Sequence, residues 1–95
     1  TLKTAGELTR ERVWQLPLGP YEKIIDSTIA DMKNSGQPGA QAGAVFLQRF
    51  AGDTPWIHID MAGNGRYEDT SQPPLIGATG YGVRLLTEWV KLYAE

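Results

Sequence analysis

The sequence predicts an α/β fold, read as one end of a larger domain rather than a small domain complete in itself. Three observations lead there. Apolar residues recur at helical spacing in two segments, 21–33 and about 82–94, and a third segment, 39–51, mixes small and apolar residues as an enclosed helix does. Only one run, 56–61, has the aromatic and β-branched composition and the alternation of a strand. That strand, with residues 12–16 as the single candidate to join it, cannot build a sheet with a buried face, which takes about three strands or helical cover.

Through Gly19 the chain combines a weak helical pattern with an extended piece, Arg12-Val13-Trp14-Gln15-Leu16-Pro17-Leu18. Pro17 holds its predecessor out of helical geometry, and Gly19-Pro20 reads as a turn. Tyr21, Ile24, Ile25, Ile29 and Met32 then make one apolar helix face, with Glu22, Lys23, Asp26, Asp31 and Lys33 mostly opposite. Pro20 suits the first turn of that helix, and Asn34 and Gly36 suit its end. From Gly39 through Val45, Phe46, Leu47 and Phe50 the pattern predicts a helix packed closely on a sheet or another helix. Gly52-Asp53-Thr54-Pro55 is a turn, after which Ile57, Ile59 and Met61 share one strand face and Trp56, His58 and Asp60 the other. Residues 62–79 form a long irregular connection, a length that usually marks a functional or interface loop. The last helix has a polar stripe of Arg84, Thr87, Glu88, Lys91 and Glu95 and a broad apolar side of Val83, Leu86, Trp89, Val90 and Tyr93.

Composition narrows the function classes. The 95 residues, 41% hydrophobic and 21% charged, bound the chain to one domain at most. A net charge of −2 with nine scattered Lys and Arg argues against a dedicated binder of nucleic acid or anionic membrane. No cysteine is present, which removes a disulfide framework or a thiolate zinc site and fits a reducing compartment. No apolar run approaches the roughly 18 residues of a membrane span. The start, Thr1-Leu2-Lys3-Thr4, has neither a signal-peptide stretch nor an initiator Met, so a processed or excised start is expected.

No constellation completes an active site. His58 and Asp60 share a strand face at a spacing that suits a metal or a carboxylate-oriented imidazole, but zinc takes three or four protein ligands and no third partner stands out. The plainer reading is a polar pair bonding loops at the strand end. Gly77-Ala78-Thr79-Gly80-Tyr81-Gly82 precedes a helix and could cradle phosphate, yet it lacks a Gly-Lys-Ser/Thr ending and has Leu85 where the dinucleotide fingerprint needs a third glycine. Here the plainer reading is that Thr79 caps the helix and the glycines permit tight packing. Ser27, Ser35 and Ser71 sit in no nucleophile elbow, and Trp14, Trp56 and Trp89 are not interleaved with basic runs.

Five stretches, in order and in register, resemble the carboxy-terminal part of the leucyl aminopeptidase family, the cytosolic di-metal peptidases. They are Glu11-Arg12-Val13-Trp14-Gln15-Leu16-Pro17-Leu18, Ala30-Asp31-Met32-Lys33-Asn34-Ser35-Gly36, Gly43-Ala44-Val45-Phe46-Leu47, Trp56-Ile57-His58-Ile59-Asp60-Met61-Ala62-Gly63 and Gly77-Ala78-Thr79-Gly80-Tyr81-Gly82-Val83-Arg84. The resemblance implies that residues 1–95 are the end of a catalytic domain with a central mixed sheet flanked by helices. It implies a cytoplasmic homohexamer that removes amino-terminal residues from peptides with two divalent metal ions, zinc, manganese or magnesium. Their ligands, including an Asn-Thr-Asp-Ala-Glu-Gly-Arg motif absent here, would lie upstream of Thr1. No catalytic or metal-binding role therefore falls on this chain, and the isolated segment is expected to be inactive. The matches imply three substrate-binding residues: Ser35, where relatives often have a larger aliphatic; Ala62, on the pocket wall; and Gly65, where some carry a bulky floor residue. Ser35 and Gly65 depart from the family pattern, which implies a roomier and more polar first subsite.

Two other readings compete with this one. A non-enzymatic interaction module derived from the same segment would use the 62–79 loop and apolar helix faces. A nucleotide-binding module would use residues 77–82.

Overall fold

The computed structural model describes residues 1–67 and 77–95, which divide into two units, one of Thr1–Gln15 with Met61–Glu95 and one of Leu16–Asp60. Among the described residues three helices form: α1, Leu2–Thr9; α2, Gly39–Ala51; and α3, Val83–Ala94.

In the first unit, α1 packs against α3. Ala5 and Leu85 are fully buried, and small residues let the chain return closely over α1. A Cβ built on Gly6 would stand 2.9 Å from the Glu11 carbonyl oxygen. Arg10 makes that return possible by adopting a left-handed conformation, φ 63°, at the end of α1. Thr9 Oγ1 supports the exit, donating to the Ala5 carbonyl at 2.8 Å and accepting from the Glu11 N–H at 3.4 Å. The outcome is a buried Glu11 whose carboxylate meets the start of α3.

The apolar side predicted for α3 is only partly enclosed. Leu85, not predicted to face inward, is its fully buried residue, while Val83, Leu86, Val90 and Tyr93 are exposed. Two turns of α1 are about 12 Å long and cover a single stripe of their neighbour.

The second unit gathers Ile25, Ala42 and Val45 into a core, with Leu18, Tyr21, Ile24, Met32 and Phe46 packed on it. The bounds of α2 agree with the predicted 39–51, but its cover does not: turns, rather than a sheet or another helix, pack on it, and Phe50 remains 70% exposed. Arg49 holds those turns by donating from Nη2 to the Glu22 carbonyl at 2.9 Å and to Asp26 Oδ1 at 3.0 Å.

The helix predicted over 21–33 is replaced by turns. Its first bonds run three residues back, Tyr21 N–H to Leu18 O, Ile24 N–H to Tyr21 O and Asp26 N–H to Lys23 O. The Ser27 hydroxyl then accepts from the N–H groups of Ile29 and Ala30, at 3.2 and 3.1 Å, donors that a helix would give to the carbonyls of Ile25 and Asp26. Serine's local bonding thus outcompetes the apolar periodicity. The carbonyl of Ile25 accepts instead from Lys33 N–H at 2.8 Å, which closes the segment over its own core residue.

The strands predicted in this chain also need correction. Neither 56–61 nor 12–16 is a strand, and among the described residues the only ladder pairing is an isolated antiparallel bridge between Arg66 and Ala78. A strand exists only with a partner to bond, and the local sequence cannot provide one. The middle of the predicted 62–79 connection, 68–76, lies outside the described residues.

Two glycines three residues apart give opposite expectations. A Cβ on Gly36 would meet the Ile24 carbonyl at 2.9 Å and the Ala42 Cβ at 3.4 Å, whereas one on Gly39 meets nothing within 4 Å. Gly36→Ala should cost about 1–3 kcal/mol by overpacking, and Gly39→Ala, at the first residue of α2, should be neutral or stabilise by up to about 1 kcal/mol. Equal thermal shifts for the two variants would contradict this packing. Removing the Glu11 carboxylate with Glu11→Ala should cost about 3 kcal/mol by stranding backbone donors. Denaturant unfolding checks it, and a loss below about 1 kcal/mol would show that the cap is not needed.

Candidate functional site

Met61-Ala62-Gly63-Asn64 is a tight turn closed by Asn64 N–H to Met61 O at 2.9 Å. Gly63 stands at φ 86°, which a residue with a side chain rarely adopts. The turn is braced by the segment that leads into α3. Thr79 donates its N–H to Gly65 O at 3.1 Å and its hydroxyl to Asn64 O at 2.5 Å, and Tyr67 N–H reaches Gly77 O at 2.8 Å. Ala62 and Gly65, the residues implied for the pocket wall and floor, therefore share one anchored loop. Gly65 is half-buried, and a side chain there would first meet Met61 Cε, at 3.0 Å from an added Cβ. Rotation of that flexible methionine can relieve the contact.

Ser35 belongs to the other unit, on an exposed irregular stretch before Gly36. The structure thus joins two of the three implied pocket residues in one element and leaves the third in its own unit. His58 and Asp60 also lie in that second unit. The His58 ring is edge-on to Trp56 at a centroid separation of 6.2 Å, so the predicted common face of Trp56 and His58 is retained without a strand. His58 is half-buried and Asp60 exposed. No group of three or more His, Asp or Glu able to hold a metal ion occurs among the described residues, so this chain's described side chains do not by themselves fit a metal centre.

Four backbone donors at the glycine-rich entry to α3 are committed. Glu11 Oε2 accepts from the N–H groups of Gly82 and Leu85, at 3.2 and 2.8 Å, and Oε1 from Arg84 Nε at 3.3 Å. The Tyr81 N–H donates to Thr79 Oγ1 at 3.1 Å, and the Val83 N–H to Gly80 O at 3.1 Å. A phosphate would have to displace the carboxylate already seated there, so the nucleotide-binding reading loses its site. Thr79 is not the cap of α3, a position held by Gly82; it fastens the preceding loop. Sequence reasoning missed Glu11, whose partners lie 71 to 74 positions away and leave no local signal.

The relationship to known proteins follows the same segments. A family profile, the catalytic domain of the cytosol aminopeptidase family, matches residues 1–87. Over 94 residues the chain is 52% identical to the probable cytosol aminopeptidase 1 of Shewanella oneidensis, covering 94% of this chain and 19% of that protein. It is 47% identical over 97 residues to the probable cytosol aminopeptidase of Agrobacterium fabrum, 99% of this chain and 20% of that protein. A Bradyrhizobium relative of the same description is 50% identical over 92 residues, 94% of this chain and 18% of its own. The chain spans about a fifth of the length of these curated relatives. Matched across nearly all its length, through the turn at 61–64 and the braced entry to α3, the chain belongs to the cytosol aminopeptidase family and falls within its catalytic domain.

Proposed function

We propose that this chain is part of a metal-dependent aminopeptidase that hydrolyses amino-terminal residues from peptides, and that it contributes scaffold and part of the pocket for the departing side chain. One observation carries the reading: 47% identity to a cytosol aminopeptidase across 99% of the chain. In this reading the two divalent ions, zinc, manganese or magnesium, supply the activated water and charge stabilisation. Their ligands belong to other parts of the longer protein. By the family resemblance, Ala62, Gly65 and Ser35 are the positions that bind the substrate side chain, Ser35 being a polar one. Small residues at these positions favour a roomy subsite, because a pocket discriminates by the volume it leaves. The remainder of the catalytic domain is the obligatory partner. The assembly is a cytoplasmic homohexamer, and the substrate is a peptide rather than nucleic acid or a membrane component. No described helix is long and apolar enough to cross a membrane.

The intact protein should hydrolyse an aminoacyl anilide with added manganese or zinc and lose that turnover on chelation; the 95-residue chain alone should show none. Clear turnover by the isolated chain would overturn the division of labour. For the pocket, Gly65→Leu and Ser35→Leu in the intact enzyme should each lower kcat/KM for a bulky amino-terminal residue by about tenfold or more while sparing alanine. A wild-type enzyme that strongly prefers small or leucyl side chains over bulkier ones would refute the roomy subsite.

A further inference from the structure

Although Lys and Arg are scattered in the sequence, folding collects three arginines around one place. Arg10, Arg12 and Arg84 line an open hollow of about 340 Å³ with Glu11, Tyr67 and Tyr81, all of them residues of the first unit. Among the described lining residues three arginines accompany one carboxylate, Glu11, which already accepts from the Gly82 and Leu85 amides and Arg84 Nε. Arg12 is paired through Nε with Glu7 at 3.4 Å, and Arg84 through Nε with Glu11 at 3.3 Å. Both contacts use the inner nitrogen and orient the side chain. Neither occupies the terminal pair of nitrogens, which are the donors that grip a planar or tetrahedral oxyanion. The side chains of Arg12 and Arg84 are 75% and 68% exposed, so these outer donors face water. Arg10 has no ion-pair partner among the described residues, and its left-handed backbone holds it at the corner where α1 turns back. Two half-buried tyrosines, Tyr67 and Tyr81, complete this part of the lining.

We infer that this hollow binds a small oxyanion, phosphate or carboxylate, through Arg10, Arg12 and Arg84. Arg10 is the guanidinium of the three left without an ion pair among the described residues, and an anion beside it would balance its charge while sharing the outer donors of Arg12 and Arg84. The site differs from a phosphate cradle at the start of α3, because the amides there serve Glu11 and the ligand engages side chains instead. The inference does not depend on the aminopeptidase reading.

The test uses the full-length protein, stripped of metal by chelation so that a metal centre cannot supply the binding, and isothermal titration at low ionic strength. Inorganic phosphate is the first probe; a free-acid dipeptide and its carboxamide are the second and third. Saturable binding is expected, weakened about tenfold or more in an Arg10→Gln/Arg12→Gln variant and also weakened in the wild type by salt above physiological strength. Neither substituted side chain holds a buried group, so the variant should melt with the wild type. The salt titration tests the same electrostatics without any substitution. Binding of phosphate alone assigns the site to phosphate-bearing ligands. Binding of the free acid but not the carboxamide assigns it to carboxylates. Absence of saturable binding by both phosphate and free acid, or binding that the double substitution leaves within about twofold, overturns the proposal.

Discussion

The first unit depends on one carboxylate. An α-helix begins with N–H groups that have no carbonyl to bond, and a positive end of the peptide dipole accompanies them. In α3 part of that need is met by Glu11, contributed by the far end of the chain, which accepts from the Gly82 and Leu85 amides while the Val83 N–H bonds the Gly80 carbonyl. Burial of a charge is unfavourable unless it is hydrogen-bonded, and here two amides and a guanidinium donate to it. The same contact sets the chain path: Gly6 must lack a side chain for residues 11–13 to pass, and Arg10 must take the left-handed turn that aims them. What could have been an anion-binding helix start is thereby converted into an internal fastening, and the loop bearing Ala62 and Gly65 is held beside it through Thr79.

Legibility in the sequence divides along the range of the forces involved. Helices α2 and α3 were readable because their spacing, and the glycines and prolines at their borders, act within a few residues. The turn at 52–54 was readable for the same reason, with Thr54 N–H bonded to Ala51 O. The helix expected over 21–33 misled because its apolar spacing is genuine, but Ser27, flanked by Asp26 and Thr28, offers the backbone an alternative that hydropathy does not register. A strand at 56–61 depends on a partner elsewhere and cannot be judged from its own residues. At the site, the pocket role is only implied by family resemblance, while the turn itself was legible from its glycines. Its brace from Thr79, and the role of Glu11, were not, because they join residues 15 and more than 70 positions apart.

Large apolar side chains remain uncovered in both units. Phe50, Val83, Val90 and Tyr93 are among them, and Ile29 is 94% exposed. An arrangement with so few enclosed side chains has little hydrophobic stabilisation of its own. The chain corresponds to about a fifth of its relatives, and the proposed longer catalytic domain would give these faces something to pack against.

The division into a contiguous and a discontinuous unit bears on the order of events during synthesis. Residues 16–60 carry every contact of their own core within one uninterrupted stretch, so that unit can collapse as soon as it clears the ribosome. The other unit must wait: Glu11 emerges early, with its carboxylate unpaired, and its partners at 82–85 arrive only when nearly the whole segment has been made. Until then α1 and the arginines beside it are a nascent-chain surface with no mate, which is the interval in which a chaperone would have most to protect.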